Sequence, residues 1–381
     1  VWVFDAATAA LTTVVNLFAD TPRALAVSTD GNRVYAAAFH SGNRTSIVSQ
    51  EAVCDGGAEA PPCEVEGKVM PGGLPAPNAS ADGVPAPEVG LIVRRDDTGA
   101  WRDELGRDWS EALRIDLPDE DVFVIDAAGD PPVQVGVYAG VGTILYNMAV
   151  NPVTGRVYVS NTEARNEVRF EPRLRGNQHQ SRITVLDGGT VTPRRLNTHL
   201  DYERTTFTAE ERAASLALPT GMAVSTDGST LYLAALGSNA VAVIDTAALE
   251  AGRYVPDADR HIHLAGGGPT GLVLDEARGR LYVATRFDNA VAVVDTVRRD
   301  VVGTVALHSP EPAQVVAGRR FLYDASLTSA NGEAACASCH VFGDFDSLSW
   351  DLGDPDGVVL PNPNPVADPR RPPGEFHPLK G

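Results

Sequence analysis

Lysine, methionine and cysteine are scarce in this chain of 381 residues, which has only Lys68 and Lys380, three methionines and four cysteines. Its 31 basic residues are outnumbered by 50 acidic ones, for a formal net charge of −19. Because a negative surface repels phosphate, we expect no nucleic-acid partner. The sequence also lacks any run approaching the roughly 18 apolar residues of a membrane-spanning helix, so we expect no transmembrane segment.

The chain has no initiator methionine and no visible signal peptide, and it begins inside an apparent strand, VWVFDAATAALTTVV. We therefore expect a fragment or a processed product, for which a missing signal is weak evidence against export.

Glycine and proline are plentiful, at 36 and 27 residues, which favours many short strands joined by tight turns. A strand, a turn with glycine and a second strand recur at 21–39, 144–162, 218–236 and 268–286. The turn glycines are Gly31, Gly155, Gly228 and Gly279, and further strands in the pattern end in aspartate. The repeat of about 40 to 50 residues predicts an all-β propeller of four-stranded blades over residues 1–309. A β-sandwich is the alternative, but it does not explain why one unit recurs.

Two insertions interrupt the repeats, at about 50–120 and at 163–180. The larger one is too long for a hairpin loop, so we expect a lid or subdomain. Its Cys54 and Cys63 have no histidine nearby, which favours a short disulfide and an oxidising compartment. The smaller insertion is polar and rich in arginine, and we interpret it as a solvated decoration.

The other cysteines form a C-x-x-C-H motif, Cys336, Cys339 and His340. Two thiols at this spacing add to the two vinyl groups of one haem, and the next imidazole then binds the iron. A redox dithiol needs no histidine and normally lies in a βαβ context, and a zinc site would need a second ligand pair. The motif therefore predicts one covalently bound haem c with His340 as the proximal iron ligand.

No methionine follows His340, so the sixth iron ligand stays open. Met148 and Met222 lie on predicted strands as core residues, Met70 lies in the larger insertion, and His377 is the only downstream candidate. A ligand outside the sequence is the alternative.

The residues after His340 are aromatic and acidic. Phe342, Phe345, Leu348 and Trp350 are candidates for covering a porphyrin edge. The nearby Asp344, Asp346, Asp351, Asp354 and Asp356 include possible Ca²⁺ ligands, although a solvated acidic loop is the interpretation that we favour.

The pattern AVSTDG…LYLAALGSNAVAVIDT resembles the YVTN family of β-propellers over most of residues 1–309. About five blade-sized units are visible, whereas the resemblance implies seven in a complete ring. We expect EPAQVVAGRRFLYDAS to supply the first two strands of a last unit and to close the ring by pairing with the N-terminal side.

Residues 310–381 look like the start of the partly helical cytochrome domains joined to YVTN propellers, which are similar to the di-haem cytochrome c peroxidase and MauG group. The stretches LTSANGEAACASCH and DSLSWDLG carry the resemblance. It implies that Cys336 and Cys339 attach haem and that His340 is its proximal ligand. Members usually carry a second C-x-x-C-H, and this sequence ends before one.

Together these features predict a bacterial c-type haem protein, periplasmic or extracellular, that transfers electrons to a redox protein or partner subunit. The propeller would serve as a docking or scaffold domain. Two alternatives stay open: a peroxidase-like oxidoreductase with a second haem outside this chain, and a structural or adhesion module of the cell surface.

Overall fold

The computed structural model describes residues 1–75, 90–113, 118–169, 174, 176–204 and 206–352, together with the backbone of 360–361 and 375–376. It divides into two compact units. The first comprises Val1–Asn43, Pro118–Ala164 and His179–Asp346, and the second comprises Arg44–Leu117, Arg165–Gln178 and Ser347–Gly381.

The first unit is a β-propeller with four antiparallel four-stranded blades among the described residues, plus a two-stranded piece. The two-stranded piece is β1 (Trp2–Phe4) and β2 (Leu11–Val14). The first blade comprises β3 (Asp20–Val27), β4 (Arg33–His40), β10 (Val122–Asp126) and β11 (Val133–Tyr138), and the second comprises β12 (Ile144–Val150), β13 (Val157–Ala164), β14 (His179–Asp187) and β15 (Thr190–Arg195). The third comprises β16 (Pro219–Val224), β17 (Thr230–Ala235), β18 (Ala240–Asp245) and β19 (Ile262–His263). The fourth comprises β20 (Pro269–Asp275), β21 (Arg280–Thr285), β22 (Ala290–Asp295) and β23 (Asp300–Ala306). The predicted fold class is confirmed.

The repeated turns join the first two strands of each blade. Gly31, Gly155, Gly228 and Gly279 have φ values of +74°, +73°, +73° and +60°, which suit glycine because it has no Cβ. The two strands of each hairpin pair directly across the turn, so that Val27 pairs with Val34 and Val224 with Leu231. The sequence pattern therefore identified the hairpins correctly.

The core of the first unit lies between consecutive blades. Three apolar clusters join the first blade to the second, the second to the third and the third to the fourth. In the middle cluster, Tyr158 and Ile183 of the second blade pack with Leu231 and Leu233 of the third. Strands with neighbours on both faces explain why valine, isoleucine and alanine follow one another without polar alternation.

Among its described residues the first unit also has four short α-helices: α1 (Ala209–Ala214), α2 (Thr246–Glu250), α3 (Ala313–Tyr323) and α4 (Ala325–Thr328). Helix α3 corrects the expectation of two strands within EPAQVVAGRRFLYDAS. Its last residue, Tyr323, is buried in a cluster with Phe287 and Leu218, whereas Val315 is 48% exposed. Packing at one end of the helix thus outweighs the β-propensity of its valines.

The second unit contains most of the larger insertion. Its strands are β5 (Thr45–Val48), β6 (Cys63–Val65), β7 (Lys68–Met70), β8 (Leu91–Arg95) and β9 (Trp101–Arg102), and the backbone at Leu360–Pro361 (β24) pairs with Glu375–Phe376 (β25). Strands β5, β8 and β9 form one sheet, and β6 and β7 form a hairpin. The predicted disulfide joins Cys54 to Cys63.

An apolar core makes this insertion a folded unit. Val48, Met70, Leu91 and Trp109 belong to its cluster, and the indole N–H of Trp109 donates to Asp103 at 3.1 Å. The core side chains thus pack against one another, and the buried indole N–H of Trp109 has a hydrogen-bond acceptor.

The solvated interpretation of residues 163–180 is wrong for several described side chains. Asn166, Arg169 and Asn177 are 1%, 3% and 2% exposed. The guanidinium of Arg169 pairs with the Asp351 carboxylate at 2.8 Å, so a charge that suggested solvent exposure is neutralised inside the second unit.

Across the described ranges, no helix is both long and apolar enough to cross a membrane.

Candidate functional site

The Cys336–His340 segment forms a single helical turn in the first unit. The backbone N–H groups of Cys339 and His340 both donate to the Cys336 carbonyl, at 3.3 and 3.0 Å. Residues three and four positions apart lie on one face of such a turn. Both cysteines are free, Cys336 and His340 are exposed, and Cys339 is half-buried. The turn therefore fits the attachment of one haem by two thiols and one imidazole.

The loop before this turn is anchored by two buried polar side chains, Asn331 and Glu333, which are 0% and 1% exposed. The Asn331 side-chain oxygen accepts from the Glu333 N–H at 2.9 Å, and its carbonyl accepts from the Ser215 hydroxyl at 2.7 Å. The Glu333 carboxylate accepts from the Ser181 N–H at 3.2 Å and from the Tyr202 hydroxyl. These bonds attach the loop to the second blade and to the connection before β16.

Gly332, between those two anchors, is required by the backbone. Its φ is +79°, and a Cβ at this position would lie 2.8 Å from the Arg212 carbonyl oxygen. The sequence Asn331-Gly332-Glu333 is therefore explained by the close approach of Gly332 to the Arg212 backbone and by the two buried hydrogen-bonding side chains beside it.

The chain after His340 is held by an aromatic cluster centred on Phe342. The Phe342 ring lies 5.7 Å from that of Phe39 and 6.4 Å from that of Tyr323, between ring centroids. The guanidinium groups of Arg23 and Arg286 lie over the same ring, at 5.0 and 5.6 Å. Phe342 has a φ of +53°, an unusual conformation for a non-glycine residue that this packing maintains.

Phe342 is thus half-buried and packed in the aromatic cluster, and Phe345 is the aromatic residue that contacts the His340 imidazole. The rings of Phe345 and His340 pack edge to face at 5.3 Å. Leu348 and Trp350 belong to the second unit.

His179 is a site residue that sequence reasoning missed. It begins β14, is 1% exposed, and lies 3.9 Å from the Cys339 sulfur through Nδ1. Its Nε2 lies 3.4 Å from the carboxylate of Asp346, which is 0% exposed. Burial disfavours a charged imidazole, but the charges of Cys339 and Asp346 outweigh it and raise the pKa of His179 to about 10.

The candidates for the sixth iron ligand have different placements. Met148 and Met222 are buried in the clusters between blades, which confirms their core role. Met70 is buried in the core of the second unit. His377 lies outside the described residues.

The interpretation of the acidic residues after His340 as a solvated loop is wrong for Asp346 and Asp351, which are 0% and 6% exposed. Asp346 lies beside His179, and Asp351 pairs with Arg169. The exposed Asp344 accepts from the Phe345 N–H at 2.9 Å. Asp354 and Asp356 lie outside the described residues, and Ca²⁺ binding stays a prediction.

Comparison with known proteins finds similarity in solved structures alone. No protein-family model matches the chain, and no curated protein matches it. A functionally unknown protein from Desulfotomaculum acetoxidans is 10% identical with a TM-score of 0.42, over 81% of this chain and 63% of that protein. Kuenenia stuttgartiensis hydrazine synthase is 18% identical with a TM-score of 0.37, over 77% and 89% of the two chains. The periplasmic gluconolactonase of Pseudomonas aeruginosa is 12% identical with a TM-score of 0.39, over 82% and 64%. This chain thus spans less than two thirds of the first and third proteins, and at such identities the likeness concerns the fold alone.

Proposed function

We propose that the chain is an exported c-type haem protein that transfers electrons through one haem bonded to Cys336 and Cys339. The observation that carries the proposal is the single helical turn with both thiols free and with Cys336 and His340 exposed. A haem bound there would supply a one-electron couple at its iron. The resemblance to cytochrome domains fused to YVTN propellers supports the same function.

The residues around the turn have separable roles in this proposal. Cys336 and Cys339 hold the group covalently, and His340 provides the axial nitrogen. Phe345 packs against the His340 ring at 5.3 Å and limits its rotation. Glu333 before the turn and Phe342 after it fix the segment to the propeller, which keeps rearrangement small when the charge on the iron changes.

The disulfide supports the proposed location. Cys54 and Cys63 are bonded, as is common in proteins of oxidising compartments. The periplasm or the outer surface of a bacterium meets this condition, and the propeller would then present a rigid face to a redox protein.

The proposal is tested by producing the chain in cells that export it and attach haem to C-x-x-C-H proteins. We expect one covalent haem per chain by intact mass and by the pyridine haemochrome spectrum. Cys336→Ser and Cys339→Ser should each leave one thioether, and the double variant should carry none. The matched double variant Cys54→Ser/Cys63→Ser should retain haem. A wild-type chain without added haem mass would refute the proposal.

The activity is tested with the haem-loaded chain. Reduced-minus-oxidised spectra should show sharp low-spin bands, and a soluble redox protein should reoxidise the reduced chain in a second-order reaction. A high-spin spectrum that changes with peroxide would instead support the peroxidase-like alternative.

A further inference from the structure

We propose that His179, Cys339 and Asp346 form a binding site for a divalent cation of the zinc class in the chain that carries no haem. The three residues offer one nitrogen, one sulfur and one oxygen, all within 4.8 Å of one another. Zinc binds these three donor types, and a three-residue set leaves a fourth position for water. The site shares Cys339 with the proposed haem attachment, but it adds His179 and Asp346 and uses neither Cys336 nor His340.

The distances require only small side-chain movements. A tetrahedral zinc ion with bonds of about 2.0–2.3 Å separates its ligand atoms by roughly 3.3–3.8 Å. The Cys339 sulfur lies 3.9 Å from Nδ1 of His179, and the Asp346 carboxylate lies 3.4 Å from Nε2. One imidazole nitrogen ligates a given ion, and with one donor atom from each residue the three atoms lie within 4.8 Å of one another, so they must approach by up to about 1 Å.

Burial and charge favour a cation at this position. His179 and Asp346 are 1% and 0% exposed, so little water competes for their donor atoms. A thiol and a carboxyl group lie beside one imidazole in a buried space, and a divalent cation would neutralise the negative charge of both acids when they bind it as anions.

Haem attachment and metal binding would compete for one sulfur atom. Addition of the Cys339 S–H across a haem vinyl group moves the hydrogen to carbon and leaves a neutral thioether, which is a weak zinc ligand. Cys336 is exposed and is not among the three clustered residues. The two cysteines of the motif therefore have different roles in the haem-free chain, and Cys336 serves as a matched control for Cys339.

The first test uses the full chain produced without haem attachment, stripped with a chelator and titrated with Co²⁺ and then Zn²⁺. We expect one ion per chain and a near-ultraviolet thiolate-to-Co²⁺ charge-transfer band. Cys339→Ser and Asp346→Asn should weaken Zn²⁺ binding by tenfold or more, and His179→Ala should abolish the cobalt band. Cys336→Ser should bind within about twofold of the wild type. Equal losses in Cys336→Ser and Cys339→Ser, or a cobalt complex without the charge-transfer band, would overturn the proposal.

A second test needs no substitution and so is independent of folding defects. A thiol-alkylating reagent should modify the exposed Cys336 whether or not Zn²⁺ is present, as read by peptide mass spectrometry. Cys339 should be protected by Zn²⁺ and released by chelator, and equal labelling of Cys339 in both conditions would refute the site. Failure here leaves the covalent haem measurement unaffected, and absence of haem leaves this measurement unaffected.

Discussion

Asp121 is a fully buried carboxyl that has no basic partner among its described contacts. It precedes β10 in the first unit, is 0% exposed, and accepts hydrogen bonds from the Ser41 hydroxyl and the Val141 N–H. Burial raises its pKa and the nearby Asp119 adds to the effect, while these two hydrogen bonds oppose it, for a pKa of about 8. Folding therefore retains a proton that the unfolded chain releases near pH 4.

The sign of the pH effect follows from that difference. The contribution of Asp121 to stability is complete below about pH 4 and is lost as the pH rises towards 8, at up to about 1.4 kcal/mol per pH unit. Asp121→Asn mimics the protonated acid, because its amide N–H can donate to Ser41 while its oxygen accepts from Val141. We predict that the variant gains unfolding free energy relative to the wild type between pH 5 and 8 in urea denaturation. If the unfolding free energies of the two proteins changed with pH in parallel, the raised pKa would not belong to Asp121.

At the scale of elements, the Cys54–Cys63 disulfide closes a short loop in the larger insertion, at a sequence separation of 9. By loop-closure entropy such a bond is worth about 2–3 kcal/mol. We predict that Cys54→Ala/Cys63→Ala lowers the stability of the second unit by about that amount, measured by the fluorescence of the buried Trp109 and by hydrogen exchange in β5 and β8.

The matched control removes the other two cysteines. Cys336→Ala/Cys339→Ala should leave the exchange of β5 and β8 unchanged, because those cysteines lie in the first unit. Faster exchange in both double variants alike would show that the disulfide has no specific role in the insertion.

The elements also show what sequence could predict. Gly31, Gly155, Gly228 and Gly279 marked the hairpins because the need for a positive φ is a local property. Helix α3 was missed because the burial of Tyr323 is a tertiary contact that local propensity does not encode. The C-x-x-C-H motif was visible in the sequence, whereas the helical turn that it adopts was seen only in the structure.

The place of His179 beside Cys339 could not be predicted from the sequence, because it too depends on a tertiary contact. It is separated from Cys339 by 160 positions and lies in a polar stretch without a metal-binding spacing. Only the extension of β14 to His179, paired with Ala164 at the end of β13, brings it to the site. Arg169 was misjudged similarly, since its partner Asp351 is 182 positions away.

At the scale of the whole molecule, the net charge of −19 would favour basic proteins as partners in the proposed electron transfer. A negative chain attracts a basic partner over distances limited by salt, with a Debye length of about 10 Å at 0.1 M. Since long-range attraction acts on the encounter, it raises the association rate more than it changes the final complex.

We therefore predict that the haem-loaded, reduced chain is oxidised by a basic redox protein with a second-order rate constant that falls about tenfold or more between 10 mM and 0.5 M salt. Stopped-flow spectroscopy of the haem band measures this rate directly. An acidic redox protein of similar size and potential should show the opposite slope, because salt then screens repulsion. If both partners gave rates independent of salt, the acidic surface would have no steering role, and recognition would depend on short-range contacts near the Cys336–His340 turn.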